Sequence, residues 1–465
     1  MQRIRTKDFF DKLFMLLIFS VVFISVSNVN VLNFNIDIFV IISFIIVGML
    51  SLISILKCKR AFSLNKTYWY FVLIFFFIAP FIQYLTNNDV WGYRFHISNI
   101  YYLKTNIIVI LSEILHMYLY HLNNKIGLDK NSENINFINN GIKKSSIRTE
   151  LLLTFLSLMC LIVLIKNVGF INLFSRTTNS TELSENSMFN TIFTCFIKVI
   201  PVYVFTYIYS IKNKNSILSI INLVFIVIMN FPTSTTRFWM GAIYIGIVLK
   251  CYVERRISTR KRIYDIILLL TFTIIFPISY SFKFHSIDYF FDNGIKLEDL
   301  SSSYNTVDYD AYSIFARSYK HVDENGPVFG KQLIGTILFF VPRSIWKSKP
   351  FATGAFIAEA QGQKFTNISC PLLAEGMVNF GLIGSVVFEV IFTIICKKLD
   401  DSYWSLQTSN RYLKYLYPYL VGLLLFYLRG ALHHAVVYTF CFCIPLIFIW
   451  FKDLIFLRKY YEVKL

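Results

Sequence analysis

The sequence predicts an all-α polytopic membrane protein with about twelve transmembrane helices and one large external loop between the ninth and tenth. Hydrophobic residues make up 56% of its 465 residues, and charged residues make up only 15%. Soluble domains are about 45–50% apolar and about 25% charged. Apolar windows of about 20 residues, each long enough to cross a hydrocarbon core of roughly 30 Å, recur along the chain. Lysine and arginine concentrate in alternate loops between these windows.

Hydropathy defines the predicted spans in order along the chain. The fourth is the least apolar, because it carries Lys104, Glu113 and His116. The first lacks a small-residue cleavage pattern at its end, so we expect a retained span rather than a signal peptide. The chain then divides into helices 1–9 (1–281), the external loop (282–376) and helices 10–12 (377–465). The predicted spans are 13–32, 37–56, 68–86, 100–121, 150–168, 189–211, 216–231, 237–253, 263–281, 377–396, 412–429 and 435–457.

The charges of the loops predict the orientation. The formal net charge is +18, and short loops rich in lysine and arginine stay on the cytoplasmic side of a membrane. Such clusters precede the first span, fill every second loop and end the chain, which predicts two cytoplasmic termini. The intervening short loops carry only Arg94, Arg176 and Arg237. This pattern accounts for the excess of cations without nucleic acid as a partner, and it places 282–376 outside the cytoplasm.

The second half of the external loop contains the stretch 337-ILFFVPRSIWKSKPF-351. Pro342 suits the first turn of a helix, so we expect a short interfacial helix that aligns Arg343 with Lys347, with Lys349 just past its end. Cations at this depth suit a phosphate or pyrophosphate group, because arginine binds it bidentately and lysine acts as a point charge. The alternative is an interfacial helix whose cations bind anionic membrane lipids.

Three further groups on the same predicted surface are candidates. Arg237 lies at the external start of the eighth span, where it either snorkels to the interface or forms an anion site with the helix N-terminus. The turn 429-RGALHH-434 contributes Arg429 and His433, either for function or as interfacial polar residues. Glu375, near the start of the tenth span, is either a general base or a residue favoured near a helix N-terminus.

Several motifs with known chemistry are missing from the sequence. It contains no Walker loop, no G-x-G-x-x-G and no H-E-x-x-H, and its eight cysteines form no C-x-x-C pair. Those patterns are typical of nucleotide, dinucleotide, zinc and redox sites. We therefore expect no cofactor and no bound metal.

At 341-VPRSIWKSKPFATGAFIAEA-360 and 374-AEGMVNFGLIGSVVFE-389 the chain resembles the family of O-antigen or oligosaccharide repeat-unit polymerases (Wzy-type). The pattern is Pro-Arg-x-x-Trp-x-x-Lys-Pro, then a segment rich in glycine and alanine, then Glu-Gly-x-x-Asn-x-Gly leading into a span. The plan of many spans with one large, late external loop extends this resemblance to the whole length.

The resemblance implies a glycosyltransferase of the bacterial plasma (inner) membrane that builds a surface polysaccharide such as the O-antigen of lipopolysaccharide. It would transfer a growing glycan from undecaprenyl pyrophosphate to a new lipid-linked repeat unit, with membrane lipids around it and a flippase and a chain-length regulator as partners. The lipid pyrophosphate is the leaving group, so no cofactor is required. The implied site residues are Arg343, Lys347 and Lys349 on the pyrophosphate, with Arg237 and Arg429 contributing, and Glu375 or His433 as the base.

Three other classes share parts of this pattern. A lipid-linked oligosaccharide flippase has a similar number of spans, but it is expected to show two similar halves and short external loops. An O-antigen ligase uses the same donor with a different acceptor, and the sequence separates it from a polymerase only through the local motif. A membrane O-acyltransferase is disfavoured, because the first spans carry no histidine.

Overall fold

The computed structural model describes residues 31, 33, 35–88, 90–91, 96–122, 146–174, 187–211, 215–232, 234–254, 262–275, 304–405 and 411–462. These residues form helices, turns and loops, and none of them lies in a strand. The predicted all-α class is confirmed. The helices are α1 Ile38–Lys57, α2 Leu64–Leu85, α3 Asn99–His121, α4 Ile147–Val168, α5 Ser187–Tyr209, α6 Ser216–Met229, α7 Arg237–Glu254, α8 Ile263–Leu270, α9 Ala311–Asn325, α10 Lys331–Ile337, α11 Thr353–Ala360, α12 Leu372–Trp404, α13 Arg411–Arg429 and α14 Leu432–Glu462.

The membrane character of the chain is supported by six of the described helices. The helices α1 to α4 and α12, together with residues Asn190–Tyr209 of α5, are long and apolar enough to cross a bilayer, and Ser216–Met229 and Leu432–Ile447 are shorter apolar helices. Many large apolar side chains on these helices are exposed, for example Leu111, Leu152 and Ile217, as expected for surfaces that contact lipid rather than water. The total of twelve spans stays a prediction, and the first predicted span, 13–32, lies outside the described residues except for Val31.

Helix α2 lies at the centre of the bundle. Its N-terminus is fixed by Ser63, whose side chain accepts the Lys66 N–H, and 89% of its most apolar window is buried. The helices α1, α12 and α13 pack around it. Helix α13 also packs closely on α7, because Gly422 has no side chain: a Cβ there would lie 2.7 Å from the Cα of Ala242. The polar groups that line α2 are therefore shielded from lipid.

Helix α12 is sharply kinked, and the kink separates Glu375 from the long membrane-crossing part. Phe380 and Gly381 have non-helical dihedral angles, and Gly381 has φ +68°, a conformation that glycine adopts readily. The Ser385 hydroxyl donates to the Leu373 carbonyl at 2.8 Å, so residues 372–379 fold back beside the start of 382–404. The predicted tenth span is therefore a short helix followed by a long one.

The bundle has two polar ends. At one end, which we call the loop end, residues 304–371 cover the helices, and Arg237 and Arg429 meet aspartates of that segment. At the opposite end Arg60 pairs with Asp401, and Lys66 pairs with Asp265 at 3.0 Å. Residues from the predicted external loops thus gather at the loop end and those from the predicted cytoplasmic loops at the other. This grouping agrees with the alternation of charge, while the side that each end faces stays a prediction.

Candidate functional site at the loop end

The cation-rich stretch does not form the helix predicted from its prolines. Residues 342–349 form turns: the Pro342 carbonyl accepts the N–H groups of Ile345 and Trp346, and the Trp346 carbonyl accepts the Lys349 N–H at 3.1 Å. The side chain of Lys349 explains this difference, because it reaches back to the main chain and closes the segment into a compact loop. We call residues 338–351 the cation loop. Arg343 and Lys347 therefore do not stack on one helical face.

Lys349 stabilises the cation loop rather than projecting from it. Its side chain is 6% exposed, and Nζ donates to the carbonyls of Phe339 at 2.7 Å and Val341 at 2.9 Å. Burial, together with the nearby positive charge of Arg343, lowers the pKa of Lys349. Two of its three N–H donors are directed at the main chain, and direct binding of pyrophosphate by Lys349 stays a prediction.

Arg343 is exposed but held in place. Its Nη1 donates to the Lys349 carbonyl at 2.6 Å and its Nη2 to the Pro350 carbonyl at 3.4 Å, and its guanidinium lies 4.4 Å from the centre of the Phe351 ring. These bonds use two of the five guanidinium N–H groups. Among the described residues, Arg343 has no carboxylate within ion-pair distance. Its charge is therefore oriented without being neutralised.

Exposed apolar side chains surround the exposed cations of this loop. Four large apolar side chains are each more than half exposed, and Lys347 is exposed beside them. Exposed apolar side chains next to cations are typical of a surface that lies in the headgroup region of a bilayer. The four side chains are Ile337 (59% exposed), Phe340 (63%), Ile345 (78%) and Phe351 (51%).

Arg237 and Arg429 lie in a different environment, because each is paired with an aspartate of the segment Val307–Asp310. Arg237 forms a short ion pair with Asp308. Arg429 donates through Nη2 to Asp310 Oδ1 at 3.0 Å and to the Val307 carbonyl at 2.9 Å. Asp308 and Asp310 form a D-x-D pair, a spacing that suits a metal, but here both carboxylates bind arginine. The prediction that both arginines serve pyrophosphate is therefore weakened, since each charge is neutralised within the protein.

Glu375 is buried and fully engaged. Its carboxylate accepts a short hydrogen bond from the Thr353 hydroxyl and a second from the Leu432 N–H at 2.8 Å, and 2% of the residue is exposed. A negative charge at the N-terminus of a helix is favourable there. Glu375 therefore connects α11, α12 and α14, and both of its predicted roles, a general base and a residue favoured near a helix N-terminus, stay predictions.

The turn between α13 and α14 brings the separate groups together. Arg429 at its start binds Asp310, and Leu432 binds Glu375. The imidazole of His433 lies beside the backbone of Gly335, within electrostatic range of Arg343 and Lys349. The fold thus brings His433 next to the cation loop.

A cavity of about 190 Å³ opens at the loop end near the N-terminal ends of α1 and α3. It is linked to residues 304–309 of the predicted external loop, because Asn88 donates to the Asn305 carbonyl and Gln83 donates to the carbonyls of Tyr304 and Tyr309. Uncharged amides and phenols both donate and accept hydrogen bonds, which suits a ligand rich in hydroxyl groups. The lining includes Asn33, Asn35, Gln83, Tyr84, Asn88 and Asn99.

Comparisons with known proteins give no relative: no protein-family model, no curated protein and no solved structure matches the chain.

The sequence analysis identified the candidate residues but not the residues that they bind. Asp308, Asp310 and Thr353 were not predicted as site residues, although each binds one that was. A signal for the two aspartates existed: they lie in the acidic half of the predicted external loop, and Arg237 and Arg429 lie on the same predicted side. No signal in the sequence indicates the bond between Thr353 and Glu375, because it depends on the kink of α12.

Proposed function

We propose that the protein is a membrane glycosyltransferase that polymerises oligosaccharide repeat units carried on undecaprenyl pyrophosphate. It acts at the outer face of a bacterial plasma membrane, with both termini in the cytoplasm, and builds O-antigen or a similar surface polysaccharide. A flippase supplies its substrate and a chain-length regulator acts with it. The proposal rests on the sequence resemblance and on one structural observation, the cation loop.

The cation loop combines the two properties that a lipid pyrophosphate requires. Ile345 and Phe351 offer exposed apolar surface, and Arg343 offers guanidinium N–H groups that no carboxylate of the described residues neutralises. Lys347 adds a second exposed cation. Charge-assisted bonds from arginine to phosphate are strong and geometrically specific. Anionic phospholipid satisfies the same chemistry, so a binding measurement has to compare the two.

The reaction forms one glycosidic bond and breaks one sugar–phosphate bond. A hydroxyl of the acceptor sugar attacks the anomeric carbon of the donor, its proton passes to a base, and the lipid pyrophosphate leaves with the bonding electrons. Arg343 and Lys347 stabilise the negative charge that develops on the leaving group, an effect that is often the largest in catalysis. Lys349 positions Arg343, because its side chain is fixed on the Phe339 and Val341 carbonyls and its own carbonyl accepts from Arg343 Nη1.

His433 and Glu375 are the two candidates for the base. His433 lies beside the cation loop, and both oxygens of Glu375 accept hydrogen bonds within the protein. The cavity lined by Asn35 and Asn99 is a suitable place for the acceptor sugar. Arg237 and Arg429 hold the segment Val307–Asp310 in place.

The test is the ladder of surface glycan from cells with and without the gene. If the protein is a polymerase, deletion of the gene removes the ladder and leaves one repeat unit on the final acceptor, because flipping and ligation continue. Loss of every band that carries a repeat unit contradicts the proposal and indicates a flippase or a ligase; polymer accumulating on undecaprenyl pyrophosphate outside the membrane would then identify the ligase. An unchanged ladder contradicts all three.

A further inference from the structure

A polar cluster lies inside the helix bundle, away from the loop end. His116 of α3 contacts Glu389 of α12, with 2.9 Å between Nδ1 and Oε1, and Asn65 of α2, with 3.0 Å between Nε2 and Oδ1. The Thr393 hydroxyl lies 2.9 Å from the same Nδ1. The ring of Tyr68 stacks on the imidazole at 3.8 Å. Groups of this kind are costly inside a membrane and usually have a function.

The hydrogen bonds fix where protons lie in this cluster. Trp69 Nε1, which can only donate, donates to Asn65 Oδ1 at 3.1 Å. The Asn65 atom is therefore the oxygen, and His116 must donate to it from Nε2. Nδ1 faces the carboxyl of Glu389. A proton held between these two atoms would join His116 and Glu389, either as an ion pair or as a neutral pair.

Glu113 provides the second, independent observation. It is 0% exposed, and among the residues that the structure describes neither of its carboxylate oxygens has a hydrogen-bond partner. It lies three residues before His116, on the same helical face, and within electrostatic range of Glu389. A bare carboxylate in an apolar interior costs far more than its neutral acid. Glu113 must therefore carry a proton of its own.

We propose that Glu113, His116 and Glu389 form an intramembrane site that binds and exchanges protons. A metal ion fits less well, because the described residues contain no group of three or more His, Cys, Asp or Glu arranged to hold one. Protonation of Glu113 removes its repulsion with Glu389, and loss of that proton leaves two carboxylates close together. The site thus couples the packing of α3 against α12 to proton occupancy.

The groups that face the cluster come from the three helices around it. Tyr120 of α3 follows His116 by one helical turn and donates to Asp400 at 2.7 Å, which leads toward the end of the bundle opposite the loop end. The titratable groups are Glu113, His116 and Tyr120 of α3, Glu389, Cys396 and Asp400 of α12, and Tyr68 of α2.

Infrared spectroscopy of the full-length protein in lipid vesicles tests this site, because the carbonyl stretch of a protonated carboxyl is separate from the amide bands. We expect such a band at neutral pH, a shift of that band in D2O because the proton exchanges, and its loss in Glu113→Gln. Absence of the band contradicts the protonated state of Glu113. A band that does not shift in D2O shows that the Glu113 proton does not exchange, and this outcome contradicts the proposal because Glu113 then has only a structural role.

A second measurement uses the wild-type protein and so does not depend on the variant inserting. Dicyclohexylcarbodiimide partitions into membranes and adds to a protonated carboxyl, which transfers its proton to the reagent and then bonds to it. We expect mass spectrometry to find the adduct on Glu113, less of it as pH rises, and no protection by sodium or potassium chloride. Asp400 is the internal control, since it is as deeply buried but accepts hydrogen bonds from Tyr120, Tyr417 and two N–H groups. Equal labelling of both residues, or protection of Glu113 by either salt, contradicts the proposal.

Discussion

Two pairs of cations at the loop end differ in what neutralises them. Arg237 and Arg429 each bind an aspartate of one short segment. Arg343 and Lys347 are exposed, and Arg343 is held by backbone carbonyls and an aromatic ring instead of an acid. The first pair fastens the segment Val307–Asp310 to the helices. Among the described residues, the second pair has no carboxylate partner.

This contrast shows why position in the sequence was a poor guide to role. All five cations lie on one predicted side of the membrane, and from the sequence they form a single group. In the structure Arg429 and Asp310 satisfy each other, and Lys349 satisfies two carbonyls. A charge that is already paired gains less from an incoming anion, because the new contact has to compete with the old one. Arg343 is therefore the residue on which the proposed function depends most.

The largest effect is expected from Arg343→Ala. Loss of a preorganised donor that stabilises developing negative charge costs about 10²–10³-fold in rate, so the glycan ladder should collapse to one repeat unit while the protein still inserts. Arg343→Lys should restore only part of the activity, because lysine keeps the charge but not the bidentate geometry. A full ladder from Arg343→Ala in a complementation assay removes Arg343 from the mechanism.

Breaking the Arg429–Asp310 pair tests whether the cations that are paired with aspartate have a structural role. Arg429→Met leaves Asp310, which is 1% exposed, without its cation, and removing one partner of a buried pair costs about 3–5 kcal/mol. Thermal unfolding in detergent should show a large drop. The double variant Arg429→Met/Asp310→Leu should recover much of that stability. If the single variant is as stable as the wild type but has lost activity, Arg429 binds substrate, and the division between the two pairs is wrong.

Lys349→Met should act through the shape of the cation loop. The substitution keeps the length of the side chain but leaves the carbonyls of Phe339 and Val341 without a donor, which costs about 1–3 kcal/mol for a buried group. We expect lower thermal stability and a partial loss of polymer, because Arg343 bonds to the carbonyl of residue 349. Unchanged stability with complete loss of polymer would instead make Lys349 a ligand of the pyrophosphate.

The fold class and much of the helix layout could be predicted, and the details of the site could not. Hydropathy places a span at 100–121, and the helix is Asn99–His121, because the length of an apolar run is a local property. The turns of the cation loop depend on a contact between a side chain and a main-chain carbonyl ten residues apart, that of Lys349 with Phe339. The prolines of that loop are compatible with a helix or with turns, and the buried lysine decides between them.

Lys347→Ala should have the smallest effect of the series. Lys347 is exposed, and a single surface charge is screened within about 8–10 Å at physiological ionic strength. We expect a loss of affinity of a few-fold for the lipid-linked donor, little change in turnover, and a difference from the wild type that shrinks as salt is raised. Binding to vesicles of anionic phospholipid, measured in parallel, is the control. If Lys347→Ala and Arg343→Ala weaken binding to phospholipid vesicles as much as binding to the lipid-linked donor, the cation loop is a general membrane anchor, and its contrast with the paired arginines carries no information about the substrate.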